Sequence, residues 1–155
     1  MTPAINAAKK NKISFHLHEY SHDASSDSYG EEAAQKLGIS TERVFKTLVV
    51  SVDSKVLIVA IIPVSSMLSM KLIAKAFGGK KAVMALKSDV ERSTGYVLGG
   101  VSPLGQKKRL RTFIDSSASQ YTSLFVSAGK RGLEIELSPI DLQQLTQGKM
   151  AELCQ

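Results

Sequence analysis

Lys46 is a lone ammonium in Arg43-Val44-Phe45-Lys46-Thr47, immediately before a strongly apolar, β-branched run. A lysine there is commonly a solvated strand end. At a cleft, the same ammonium would hold a phosphate or polarise a carbonyl. A second candidate is the stretch 95–105, GYVLGGVSPLG, which leads into Gln106-Lys107-Lys108-Arg109. Its four glycines and one proline let backbone approach a ligand closely. The cations beside it, counting Arg111, suit an anion or an ordinary solvated basic turn. The third is Ser127-Ala128-Gly129-Lys130-Arg131-Gly132, a turn between strands. Its amides could form an anion nest, and the alternative is a plain hairpin with a cationic tip.

Other chemistries lack their parts. His16 and His18 form an H-x-H step that places two imidazoles on one strand face, with His22 nearby. A metal would need a further ligand, and only Asp23 is close in sequence, so a polar strand face is the better reading and no metal is expected. Gly100-Val101-Ser102-Pro103-Leu104 fails the last glycine of a nucleophile elbow. Gly78-Gly79-Lys80-Lys81 lacks the spacing and hydroxyl of a phosphate-binding P-loop. The one cysteine, Cys154, excludes an internal disulfide and a thiolate zinc site, and it falls in what reads as a frayed tail. No protein-derived nucleophile is recognisable.

Helix and strand signals alternate along the chain. Helices are expected at 3–10 behind Thr2-Pro3, at 29–37 between Ser28 and Gly38, and from Ser66 or Ser69 to Gly78. Two more follow: Ser88 and Glu91 have capping-box spacing before a short helix to Thr94, and Ser138-Pro139 opens a last helix to about Gln147. Strands are expected at 15–20, 47–52, 56–62, 82–86, 112–115, 124–127 and 133–137, the second and third forming a hairpin. In the first, Phe15 and Leu17 share one face and His16, His18 and Tyr20 the other. The sum is a mixed α+β domain with about six to seven strands and peripheral helices. Gly-rich corners permit a curled mixed sheet or partial barrel. With no linker, repeat or low-complexity tract, residues 1–155 read as a single domain.

Of the 155 residues, 43% are apolar and 22% charged, a globular composition rather than a disordered one. No apolar run reaches the roughly 18 residues of a membrane span, and the N-terminus lacks a signal-peptide apolar region. A reducing, cytoplasmic setting is expected. The net charge of +6 is uneven: residues 71–111 hold ten basic residues against Asp89 and Glu91, so that stretch carries +8 and the remainder −2. A basic middle on a slightly acidic body is the arrangement of a phosphate-backbone binder, and is equally met by lysines on solvated helix faces.

Taken together the segments resemble the YbaK/EbsC-type aminoacyl-tRNA deacylases, in their Cys-tRNA(Pro) deacylase branch, relatives of the editing domain inserted in bacterial prolyl-tRNA synthetases. The resemblance runs almost end to end. It passes through Met1-Thr2-Pro3-Ala4, Lys10-Asn11-Lys12-Ile13, Tyr20-Ser21-His22-Asp23, Phe45-Lys46-Thr47-Leu48 and Lys80-Lys81. Its most specific parts are Ser93-Thr94-Gly95-Tyr96 and the block from Gly99-Gly100 to Lys107-Lys108-Arg109.

That resemblance implies a barrel-like α/β domain that binds the aminoacylated 3′ end of tRNA and hydrolyses its ester without a cofactor. It implies Lys46 as the functional lysine and Tyr20, Thr47, Gly99, Gly100, Ser127, Gly129 and Glu134 as pocket residues. Lys80, Lys81, Lys107, Lys108, Arg109, Lys130 and Arg131 are the cations expected to meet tRNA. The implied substrate is Cys-tRNA(Pro), with Cys-tRNA(Cys) as a further one, and prolyl-tRNA synthetase is the implied partner. The family route has the substrate's own thiol attack its carbonyl, which would account for the missing protein nucleophile, and direct attack by water is the alternative. There are two departures: Ala128 replaces the first glycine of a Ser-Gly-Gly-x-Arg-Gly turn, and Glu134 stands where that branch has Asp. The alternatives are the same fold editing another amino acid, such as Ala-tRNA(Pro), or a non-catalytic tRNA-binding, synthetase-associated module.

Overall fold

Two β-branched runs, Phe45–Val52 (β2) and Val56–Pro63 (β3), pair antiparallel through a turn in which Asp53 and Ser54 both take left-handed backbone angles. Asp53 then accepts the Lys80 and Lys81 amides with its carboxylate, tying the turn to the segment that follows the next helix. Ile58, Val59, Ala60, Ile61 and Ile62 of β3 are fully buried, as an apolar run with no polar alternation requires. Each large side chain there contributes about 1.5–3 kcal/mol of burial.

In the computed structural model, which describes residues 1–25 and 28–155, the other helices and strands are α1 (Pro3–Lys10), β1 (Phe15–Glu19), α2 (Tyr29–Leu37), α3 (Met70–Phe77), β4 (Ala82–Met84), α4 (Lys87–Thr94), β5 (Thr112–Asp115), β6 (Leu124–Lys130), β7 (Leu133–Leu137), α5 (Pro139–Thr146) and β8 (Lys149–Ala151). One sheet has the order β4-β2-β3-β5-β8, with β3–β5 and β5–β8 parallel; the second has the order β1-β7-β6 and is antiparallel. A single parallel bridge, Val44 to Phe125, ties them where β6 runs past the start of β2.

Alternate residues of the larger sheet enter two cores. Phe45, Val49, Val59 and Ile61 pack with Ile5 of α1 and with Leu124, Val126 and Ile135 of the smaller sheet. Val50, Val52, Ile58 and Ile62 pack on the other side with Ile73 of α3, Phe113 and Leu153.

The mixed α+β architecture with five peripheral helices agrees with the sequence. The barrel does not appear: both sheets are open, and no pairing among the described residues closes either one. An eighth strand, β8, is three residues long and pairs with β5, too short to show an alternation. The tail is not frayed: Leu153 is fully buried, its carbonyl accepts the Ser69 amide and Cys154 bridges Leu68. The N-cap of α4 is Leu86, so Ser88 lies in its first turn. Leu17, on the face it shares with Phe15, is 43% exposed on the edge strand β1.

Candidate active site

The start of β2, the bulged end of β6, the glycine loop and the N-terminus of α2 converge on a cavity of about 440 Å³. Its border includes Tyr20, Lys46, Thr47, Gly99, Ser127, Lys130, Arg131 and Glu134, all of them expected from the sequence. Lys46 lies inside β2, whose first residue is Phe45, rather than before it, and Thr47 lies inside as expected. Successive strand residues alternate faces, so Lys46 stands on the side of Leu48 and Thr47 on the side of Phe45 and Val49; the cavity borders all five.

The Lys46 side chain makes no hydrogen bond or ion pair among the described residues, while its backbone stands opposite Ile62 in the ladder. The Thr47 hydroxyl oxygen is buried with no hydrogen-bond partner among them. A buried hydroxyl left unpaired costs about 1–3 kcal/mol, an expense that a ligand in the cavity could offset.

Glu134 lies directly opposite both Ser127 of β6 and His18 of β1 in the ladder. Burial pushes its carboxyl up to about 8, so at neutral pH it is mostly protonated and can donate a hydrogen bond. Tyr20 beside it is raised first by burial and then by the Glu134 charge. The Ser127 hydroxyl accepts the Gly129 amide at 3.1 Å, inside the register shift between Ser127 and Lys130 that turns Lys130 and Arg131 toward the mouth.

Gly99 and Gly100 serve that mouth differently. Gly99 has φ +97° and stands over Tyr29 and the Arg131 guanidinium; a Cβ there would lie 2.8 Å from each. Gly100 does not border the cavity, and a Cβ on it would meet the Lys130 Cα at 2.9 Å, so it lets the loop seat on the β6 turn. Gly129, φ +111°, is likewise packed behind the wall, against Tyr96. Burial raises the Tyr96 phenol to about 12, and its hydroxyl donates to the Leu104 carbonyl, bracing the 95–105 loop.

Five expected cations lie away from the cavity. Lys80 and Lys81 are exposed at the far end of β2, about 20 Å from Lys46 by strand rise. Lys108 and Arg109 border a second, 150 Å³ depression with Asn11 and Gln106. Lys107 is exposed and donates its amide to Thr94.

Sequence reasoning did not single out Tyr29, Lys87, Met84 and Leu98 as site residues, although all four border the cavity. It also passed over the pair His22–Glu32 behind Arg131. Tyr29 follows the Ser28 cap of α2, and a cap directed at a candidate cavity is the one signal that would have found it. His18 bonds Glu136 at 2.9 Å, which uses one imidazole of the H-x-H step on the protein itself. No cluster of metal-ligating side chains occurs among the described residues. Burial, followed by the Asp115 carboxylate, pushes the Cys154 thiol up to about 11, so it is a poor nucleophile for a reason other than fraying.

A solved structure of a protein provisionally named a trans-editing enzyme for prolyl tRNA synthetase superposes with a TM-score of 0.83 over 100% of this chain and 99% of that one, at 21% identity, and so shares the fold. EbsC of Enterococcus faecalis, provisionally named a Cys-tRNA(Pro)/Cys-tRNA(Cys) deacylase, is 40% identical over 152 residues, 98% of this chain and 92% of that protein. The uncharacterized protein YwhH of Bacillus subtilis is 28% identical over 120 residues, 77% of this chain and 76% of its own. The class that emerges is a hydrolase acting on misacylated tRNA. The family model for the aminoacyl-tRNA editing domain matches residues 24–145, and the chain belongs to that family.

Proposed function

We propose that the cavity removes cysteine from misacylated Cys-tRNA(Pro), with Cys-tRNA(Cys) as a second substrate. The observation that carries this reading is the 40% identity to EbsC over nearly the whole chain, joined to a cavity that holds an unpaired lysine and an unpaired hydroxyl. No serine or cysteine needs to attack, because the ester is already activated and cysteine brings a thiol of reference pKa about 8.5.

In the route that fits, the substrate's amine and side chain sit among Tyr20, Ser127 and Glu134. The thiolate attacks its own carbonyl carbon, the bond from that carbon to the ribose oxygen breaks, and the oxygen leaves as the tRNA hydroxyl after taking a proton. The strained thiolactone then opens with one water to give cysteine. Lys46 faces the charge that develops on the carbonyl oxygen, while Thr47 and the Gly99 backbone fix the ester. Holding thiolate and carbonyl in contact supplies effective molarities of roughly 10⁵ M or more. Lys130 and Arg131 meet the terminal phosphates, and Lys80, Lys81, Lys107, Lys108 and Arg109 meet the tRNA body. Action beside prolyl-tRNA synthetase follows from the same reading, since contacts to phosphates carry no sequence information and tRNA selection then falls to the partner.

The test compares cysteinyl, seryl and alanyl esters on one tRNA(Pro). The cysteinyl ester is expected to be hydrolysed at least about a hundredfold faster. Equal rates on the seryl ester, which lacks the thiol, would sink the substrate-assisted route.

A further inference from the structure

We propose that His22 and Glu32 are positioning residues that hold Arg131 as a fork for the phosphodiester of the substrate's terminal nucleotide; the inference rests on the function proposed above. Arg131 donates from Nη1 to Nε2 of His22 at 2.7 Å. Nδ1 of His22 lies 2.7 Å from Oε1 of Glu32. An arginine only donates, so Nε2 must accept, the ring proton sits on Nδ1, and Glu32 receives it. Glu32 is buried. Burial works against its ionisation, but the His22 hydrogen bond and the Asp23 amide at 2.7 Å outweigh it and hold the carboxyl below its ordinary value. Lys36, 3.5 Å away on the next turn of α2, completes the anchor.

The far side of the guanidinium is fixed as well. It lies 3.5 Å from the centroid of the Tyr29 ring, and Gly99 covers both, with no room for a Cβ. The relay therefore sets the plane of Arg131 at the cavity border, leaving its other N–H groups to a ligand. A planar fork held at fixed orientation matches two oxygens of a phosphate or carboxylate. Lys130 and Lys87 border the same cavity, and among the described residues Glu31 is the only acid there besides Glu134. In an aminoacyl-tRNA the carboxyl is esterified and uncharged, so the anion within reach of this fork is the terminal phosphodiester.

The experiment measures steady-state deacylation of Cys-tRNA(Pro) and of cysteine esterified to adenosine, which has no phosphate, by wild type, His22→Ala, Arg131→Ala and the double variant. His22→Ala is expected to raise KM for the tRNA ester about tenfold, leave kcat within about twofold, and leave the phosphate-free ester unaffected. In the Arg131→Ala background it should add nothing. Equal losses on both esters, or additive effects, would overturn the relay. Arg131→Lys, which keeps the charge and removes the fork, covers the case of a misfolded His22 variant: it should raise KM for the tRNA ester alone, and full affinity would be contrary evidence. A wild type that cleaves neither ester would instead refute the underlying function.

Discussion

Thr47 carries a buried hydroxyl with no hydrogen-bond partner among the described residues, and Glu134 a buried carboxyl. Thr47→Val keeps the shape and removes the orphan hydroxyl, so thermal stability should hold or rise while deacylation of the cysteinyl ester falls about tenfold, or about 1.4 kcal/mol in the barrier. A melting scan and a single-turnover rate read the two effects separately. Glu134 carries a pH signature. Its folded value of about 8 lies above the ordinary carboxylate value of 4.5, so between those limits the folded chain keeps a proton that the unfolded chain has released. Stability from this group is therefore lost as pH rises through that window. The Tm of Glu134→Gln should gain on that of wild type from pH 5 to pH 8, and parallel curves would show that the carboxyl is not desolvated. The sequence showed a carboxylate at this position, but not that β7 would lie between β1 and β6 with this side chain buried at the cavity.

The elements were largely legible because each carries a local signal. The capping residues Thr2, Ser69 and Ser138 all accept an amide from the first turn of their helices, and the buried run of β3 has no other place to go. Strand entry was less legible. The sequence pattern put Lys46 outside the strand, whereas the Val44 bridge to β6 and the pairing of Phe45 with Pro63 pull it inside. The His22–Glu32–Arg131 chain was not legible at all, because its members come from a loop, a helix and a turn 109 residues beyond His22. Gly100→Ala tests the seating of the loop on the β6 turn. The added carbon meets backbone at 2.9 Å, so Tm should fall by roughly 5 °C and KM should rise. Unchanged values would show that the loop yields freely.

For the whole molecule, the fold divides the +8 stretch that composition presented as one basic region. Its Lys80–Lys81 and Lys108–Arg109 fall at the end of a hairpin and at a second depression, while Lys130–Arg131, from outside that stretch, stand at the cavity mouth. Spread over three places, they suit contacts along a folded nucleic acid rather than one anion site. Affinity for tRNA should fall linearly on a log–log plot against salt, and Lys80→Ala with Lys81→Ala should flatten the slope by about one to two without changing kcat. A slope unaltered by that pair would remove the hairpin end from the interface.

Lys46 is proposed to drive hydrolysis of the cysteinyl ester with no attacking serine or cysteine of the protein. Single-turnover deacylation of Cys-tRNA(Pro) by wild type and by Lys46→Ala, each checked for folding, tests it most directly. A loss of about a hundredfold or more at saturating enzyme is predicted, close to what removal of one oxyanion donor costs. A Lys46→Ala enzyme that cleaves the ester at the wild-type rate would contradict it.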